Sequence, residues 1–200
     1  MLFSHTYNEI KNNSQALYKE KGSKFLSYAL KAYNEQEIKK KIEEIKKIEN
    51  SANHYCYAYT LHPDRSLSRF SDDGEPNYTA GKPISKVIAK FELTNILIVV
   101  VRYFGGVKLG IPGLIRSYKI AATNAIEKNQ LITKIIKEKY TILFDHEHMN
   151  TVMQIIKNYN LEITNTDFQI KCKLTFLVSK QKSDLVLLAL RKNHKLKIQF

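Results

Sequence analysis

From Ile96 to Val101 the chain reads ILIVVV, six branched aliphatic side chains in a row. The run is far too short to span a bilayer, and its length and residue types suit a buried strand. It leads through Arg102, Tyr103 and Phe104 into the glycine-rich stretch GGVKLGIPG, and then into GLIRSYKIAATNAIEK, which reads as a helix. Buried strand, glycine turn, helix is the local order that the fold has to accommodate.

The flanking segments supply the other elements. Gln15 to Tyr33 alternates loosely around a Lys21-Gly22 turn, as two strands joined near EKGSK would. Asn34 followed by Glu37 is a capping-box signal, and Ile38, Ile42, Ile45 and Ile48 fall on one stripe of the helix it opens. NHYCYAYTL has period two, with Tyr55, Tyr57 and Tyr59 on one face and His54, Cys56 and Ala58 on the other. Ile84, Val87, Ile88 and Phe91 then repeat at helical spacing after Pro83. Beyond Asn129, LITKIIKEKYTILF reads as a strand and Asp145 as the cap of a helix holding Val152, Ile155 and Ile156. Two strands, a helix around Lys182 to Leu190 and a last strand KLKIQF complete the order β-α-β-β-α-β, a ferredoxin-like pattern.

With 200 residues, 44% of them apolar, the chain can form two domains without staples. Cys56 and Cys172 are far apart and read as reduced thiols of a cytosolic protein. The first residues have no basic start followed by an apolar core, so no secretory signal is expected, and no membrane span. Thirty-two Lys and Arg against nineteen Asp and Glu give a formal charge of +13, which favours nucleic acid or other polyanions. Compositional bias toward Lys, Asn and Ile accounts for the same excess equally well.

Three places could carry chemistry. The stretch FSDDGEPNYTAGKPISK, Phe70 to Lys86, offers Asp72, Asp73 and Glu75 as hard oxygen ligands for Mg²⁺. Asp-Gly and Glu-Pro are also ordinary turn chemistry, which makes a shaping loop with caps and buried hydrogen bonds the favoured reading. In RYFGGVKLGIPGLIR, backbone N–H groups at Gly105 and Gly106 could approach an anion, with Arg102, Lys108 and Arg116 adding charge. No G-K-[ST] closes it, and glycines there would serve a tight turn equally well. His54 and Cys56 lie on one strand face but roughly 6 to 7 Å apart, beyond hydrogen-bond reach. His146 and His148 do not converge on a metal, and the tyrosine stripe is more readily core than a stacking surface for bases.

Four stretches taken together resemble a known family: EKGSKF (20–25), NHYCYAY (53–59), SDDGEPNYTAGKP (71–83) and VVVRYFGGVKLGIPGLIRSY (99–118). They are similar, in this order, to the IMPACT family in its bacterial two-domain form, the YigZ type. The resemblance implies an N-terminal α/β domain of ribosomal-protein type, akin to a late domain of elongation factor G, and a ferredoxin-like domain like that factor's last. It also implies regulation of translation rather than catalysis, since eukaryotic relatives restrain an initiation-factor kinase by competing for its activator. No catalytic residue is carried over. The family tends to have glycine where Tyr78 stands and Thr-Gly where Ile111 and Pro112 stand; a bulky Tyr78 and a Pro112 without N–H both weaken a small-anion site.

The expectation is therefore an α+β protein, with an IMPACT-type domain over residues 1–132 and a ferredoxin-like domain over 133–200. It should be a cytoplasmic, non-enzymatic regulator of translation that binds RNA or the ribosome, with a possible protein partner in the translation machinery. Lys82, Arg102, Gly105, Gly106, Lys108 and Arg116 form its expected anion-binding set, and no cofactor or metal is expected. The alternatives are a Mg²⁺-dependent hydrolase of nucleotide or RNA phosphate, with Asp72, Asp73 and Glu75 on the metal and His54 as base, or a protein–protein adaptor.

Overall fold

The computed structural model describes residues 5–199. The described residues divide into two units: the larger spans Tyr7–Lys134, and the smaller takes residues 135–199 together with His5 and Thr6.

Apart from the end residues Thr6 and Ile135, the larger unit contains β1 (Thr6–Ile10), β2 (Ser14–Glu20), β3 (Ser23–Lys31), α1 (Glu35–Ile48), β4 (His54–Leu61), β5 (Leu67–Ser71), α2 (Gly81–Lys90), β6 (Ile96–Tyr103), α3 (Gly110–Glu127) and β7 (Leu131–Ile135). Five strands form an antiparallel sheet in the order β2-β3-β6-β4-β5. The ILIVVV run is its central strand, covered on both faces. Ile98 and Val100 pack with Phe25, Cys56 and Ala58 against Ile84, Val87 and Ile88 of α2 and Tyr118, Ala121 and Ala122 of α3. Leu97, Val99 and Val101 face the other way, into a cluster with Ile38, Ile42 and Ile45 of α1. Helices on both faces explain an unbroken apolar run in an antiparallel sheet, which usually alternates.

Asn34 caps α1 as its sequence predicts, accepting from the Glu37 N–H at 2.8 Å, while the Glu37 carboxylate reaches back to the Tyr33 N–H. Ile48 departs from the predicted stripe and is exposed, because the helix ends there. The tyrosine stripe packs on the α1 side of the sheet, with the Tyr59 hydroxyl on Glu35 and the Tyr55 hydroxyl on the Glu49 carbonyl. It offers no open stacking surface. The segment read as one strand from Leu131 breaks at Ile136: β7 pairs with β1, while the remainder joins the smaller unit.

That unit runs β8 (Lys137–Phe144), a 3-10 turn, α4 (Met149–Asn158), β9 (Glu162–Phe168), β10 (Cys172–Ser179), a second 3-10 turn, α5 (Ser183–Arg191) and β11 (Lys197–Gln199). The sheet order β11-β8-β10-β9 is that of a ferredoxin-like fold, with α4 and α5 contributing Val152, Ile156, Val186 and Leu190 to the core beneath it. Asp145 makes no side-chain cap; the helix opens instead through a 3-10 turn closed by the His148 N–H on the Asp145 carbonyl. His146 packs against Gln169 and Cys172, so His146 and His148 do not form a pair. No helix among the described residues is long and apolar enough to cross a membrane.

Candidate functional site

Strand register brings the four quoted stretches to one end of the five-stranded sheet. Lys24 stands opposite Tyr103, His54 opposite Arg102 and Tyr57 opposite Ser71. The β2–β3 turn, the start of β4, the end of β5 and the end of β6 therefore lie side by side.

Glycines let these loops touch backbone to backbone. A Cβ on Gly105 would lie 1.9 Å from the carbonyl carbon of Gly22, so the glycine turn seats directly on the Lys21-Gly22 hairpin. The Ser23 hydroxyl accepts from the Gly105 N–H at 3.2 Å, and the Asn53 side chain accepts from the Phe104 N–H at 2.8 Å. Gly106, by contrast, has φ +86 and open space where its Cβ would be. The first glycine is there for close approach and the second for the turn. Ile111 and Pro112 fall in the first turn of α3, where Pro112 removes an N–H that has no partner within the helix.

The acidic loop is organised by hydrogen bonds to three separate places. The Asp72 carboxylate accepts from the N–H groups of Tyr78, Ala80 and Gly81 at 2.8–3.0 Å and so holds the start of α2. Asp73 accepts from the Tyr55 N–H at 2.7 Å. Glu75 points inward, where one oxygen takes both Arg102 Nη1 at 2.6 Å and the Tyr118 hydroxyl at 2.7 Å. The three carboxylates thus do not converge on a shared point, and among the described residues no group of three or more His, Cys, Asp or Glu is placed to hold a metal ion. His54 Nδ1 lies 2.9 Å from the Asp73 carbonyl oxygen, while the Cys56 thiol donates to the Asp72 carbonyl and sits 3.4 Å from the Tyr118 hydroxyl. Burial pushes both the Cys56 thiol and the Tyr118 phenol well up, away from a nucleophilic thiolate.

Arg102 corrects the expected anion-binding set. It is 5% exposed, ion-paired with Glu75, and its Cζ lies 5.5 Å from the Phe25 ring and 5.6 Å from the Phe104 ring. Its Nη2 reaches the Ser23 hydroxyl at 3.4 Å, and its buried Nε has no hydrogen-bond partner. A guanidinium so placed ties the acidic loop, the hairpin and the glycine turn together; phosphate would have to displace Glu75 to reach it. Lys82, Lys108 and Arg116 are exposed at this end. Arg116 lies 3.2 Å from Glu20, whose carboxyl is held below its usual range by the Tyr18 hydroxyl and by Arg116 itself. Lys82 Nζ sits 4.7 Å above the Tyr78 ring. Sequence spacing missed Ser23, Asn53 and Tyr118 as parts of this assembly, although each belongs to one of the four stretches.

Residues 21–126 match the family described as the Impact N-terminal domain. An IMPACT family member of Haemophilus influenzae is 32% identical over 163 residues, covering 80% of this chain and 79% of that protein. The IMPACT family member YigZ of Escherichia coli is 30% identical over 151 residues, 74% of each chain. A solved structure described as a hypothetical protein shares the fold, with a TM-score of 0.75 at 25% identity over 98% of this chain and 97% of that one.

Proposed function

The chain belongs to the IMPACT family, in its YigZ type, and from that premise we propose that it is a non-enzymatic, cytosolic regulator of translation that binds RNA, the ribosome's RNA included. The contact would be the end of the larger unit where the four loops meet. Lys82, Lys108 and Arg116 would take phosphate there, with the open space beside Gly106 letting a backbone approach, while Gly105, seated on Gly22, and Arg102 position the loops from inside. The observation that carries this reading is that three exposed cations, Lys82, Lys108 and Arg116, sit on elements that meet at the loop assembly tied by the buried Glu75–Arg102 pair. A chain of formal charge +13 is suited to a polyanion, which it would attract over long range.

Fluorescence anisotropy with a labelled structured RNA tests it. Log affinity should fall steeply with log salt for the native chain, and the slope should shrink by about one for each of Lys82, Lys108 and Arg116 changed to Gln. Identical slopes in native and triply substituted chains would overturn the reading.

A second reading, a protein–protein adaptor, draws on Phe104, Val107 and Ile111, which are 47–59% exposed at the same end. A partner held there at a salt concentration that releases RNA would favour it.

A further inference from the structure

Within the acidic loop, Pro76 to Thr79 forms a turn closed by the Thr79 N–H on the Pro76 carbonyl at 3.1 Å. Tyr78 is its third residue, with φ +65. Glycine or asparagine is the usual occupant of a positive-φ position in such a turn, because a larger L side chain crowds its own backbone there. The other non-glycine residues with positive φ among those described are Lys, His, Arg, Asp, Glu and Asn, so Tyr78 carries the one phenol ring in that set. Its backbone is held by Asp72, which accepts from the Tyr78 N–H and from the two N–H groups at the start of α2.

Burial does not offset the strain, since Tyr78 remains 59% exposed. Its neighbours are Phe70, also exposed, at 6.2 Å between ring centroids and nearly edge-on, and Lys82, whose Nζ lies 4.7 Å from the ring centre. Lys86 is exposed one helical turn beyond Lys82. An exposed aromatic pair beside a row of cations matches what an unpaired nucleotide presents: a π-face for stacking and a phosphate alongside. Strain maintained at an exposed site points to use rather than to folding.

We propose that Tyr78, with Phe70 at its edge, is a stacking platform for an unpaired base of bound RNA, and that Lys82 takes the adjoining phosphate. This deepens, and rests on, the RNA-binding reading of the same end. It makes Tyr78 the residue that selects single-stranded over fully paired RNA.

The test uses the full chain, a labelled oligouridine and a fully paired RNA duplex, with Tyr78→Gly, Tyr78→Asn, Tyr78→Phe and Lys82→Gln variants. Tyr78→Gly and Tyr78→Asn should bind oligouridine about tenfold more weakly, the loss expected for one stacked base, with salt slope and duplex affinity unchanged. Both should melt no lower than the native chain, because each suits a positive φ. Tyr78→Phe should bind as the native chain does, and Lys82→Gln should flatten the salt slope. Native affinity in the Gly and Asn variants would overturn the platform while leaving RNA binding intact. Failure of the native chain to bind either RNA at low salt would overturn both. Loss of binding only in variants that also melt lower would assign Tyr78 a structural role and overturn the platform as well.

Discussion

Glu75 is the residue on which the loop assembly turns. Its one oxygen is shared by Arg102 and Tyr118, and all three side chains are buried. Removing its charge leaves a guanidinium in the interior without a counter-ion, a change that costs about 3–5 kcal/mol in buried pairs. Glu75→Gln should therefore lower the urea midpoint sharply, whereas Asp73→Asn, at an exposed carboxylate, should cost about 1 kcal/mol. Equal midpoints for the two variants would mean that the ion pair does not hold the loops. Little of this was legible beforehand. Glu75 and Arg102 are far apart in sequence, and neither composition nor spacing tells whether an arginine beside a glycine turn faces water or a carboxylate. The glycines were legible as a place of close approach, but the partner, Gly22, belongs to another loop and is found only through the strand register.

At the scale of elements, periodicity and caps carried most of the reading. The strand–turn–helix order around Gly105, the Asn34 cap and the alternation of β4 all follow from local sequence. The failures are equally physical. β1 and β5 show no alternation of buried and exposed positions, so no two-residue period marks them, and Asp145, a residue type suited to a cap, instead precedes a 3-10 turn. Ile48 continues the spacing of Ile38, Ile42 and Ile45, yet periodicity cannot say where the supporting sheet stops. Ile42→Ala should cost about 2–5 kcal/mol as a buried truncation, and Ile48→Ala less than about 0.5 kcal/mol. Denaturant unfolding followed by circular dichroism checks the contrast, and a comparable loss at Ile48 would place α1 in a different rotation on the sheet.

Across the whole molecule, titrating groups set a window of stability. The Tyr18 hydroxyl lowers the Glu20 carboxyl, the Tyr59 hydroxyl lowers Glu35 and the Ser183 hydroxyl lowers Glu138, each from an ordinary value of 4.5. Stability from a depressed carboxyl is complete above about 4.5 and is lost as pH falls through the lower folded value. The tyrosines act at the other end: burial raises Tyr28 and Tyr118 and pushes Tyr59 up to about 12, against an ordinary value of 10.0. A phenol raised in the fold stabilises fully below 10.0, and that contribution disappears as pH rises through the folded value. Melting temperature should therefore form a plateau between about pH 5 and pH 10 and drop on both sides. A melting temperature that keeps rising below pH 4 would contradict the carboxylate contacts.

The two-unit organisation was legible because the β-α-β-β-α-β order is a property of elements, while the gathering of four loops at one sheet end is a property of topology. That gathering is the central claim, and photo-crosslinking of the full chain to thiouridine-substituted RNA, mapped by mass spectrometry, tests it most directly. The account predicts crosslinked peptides that contain the hairpin at Lys21, the loop from Asp72 to Lys86 and the turn from Phe104 to Arg116. Crosslinks confined to the ferredoxin-like unit, or scattered over the lysines of both units, would contradict it.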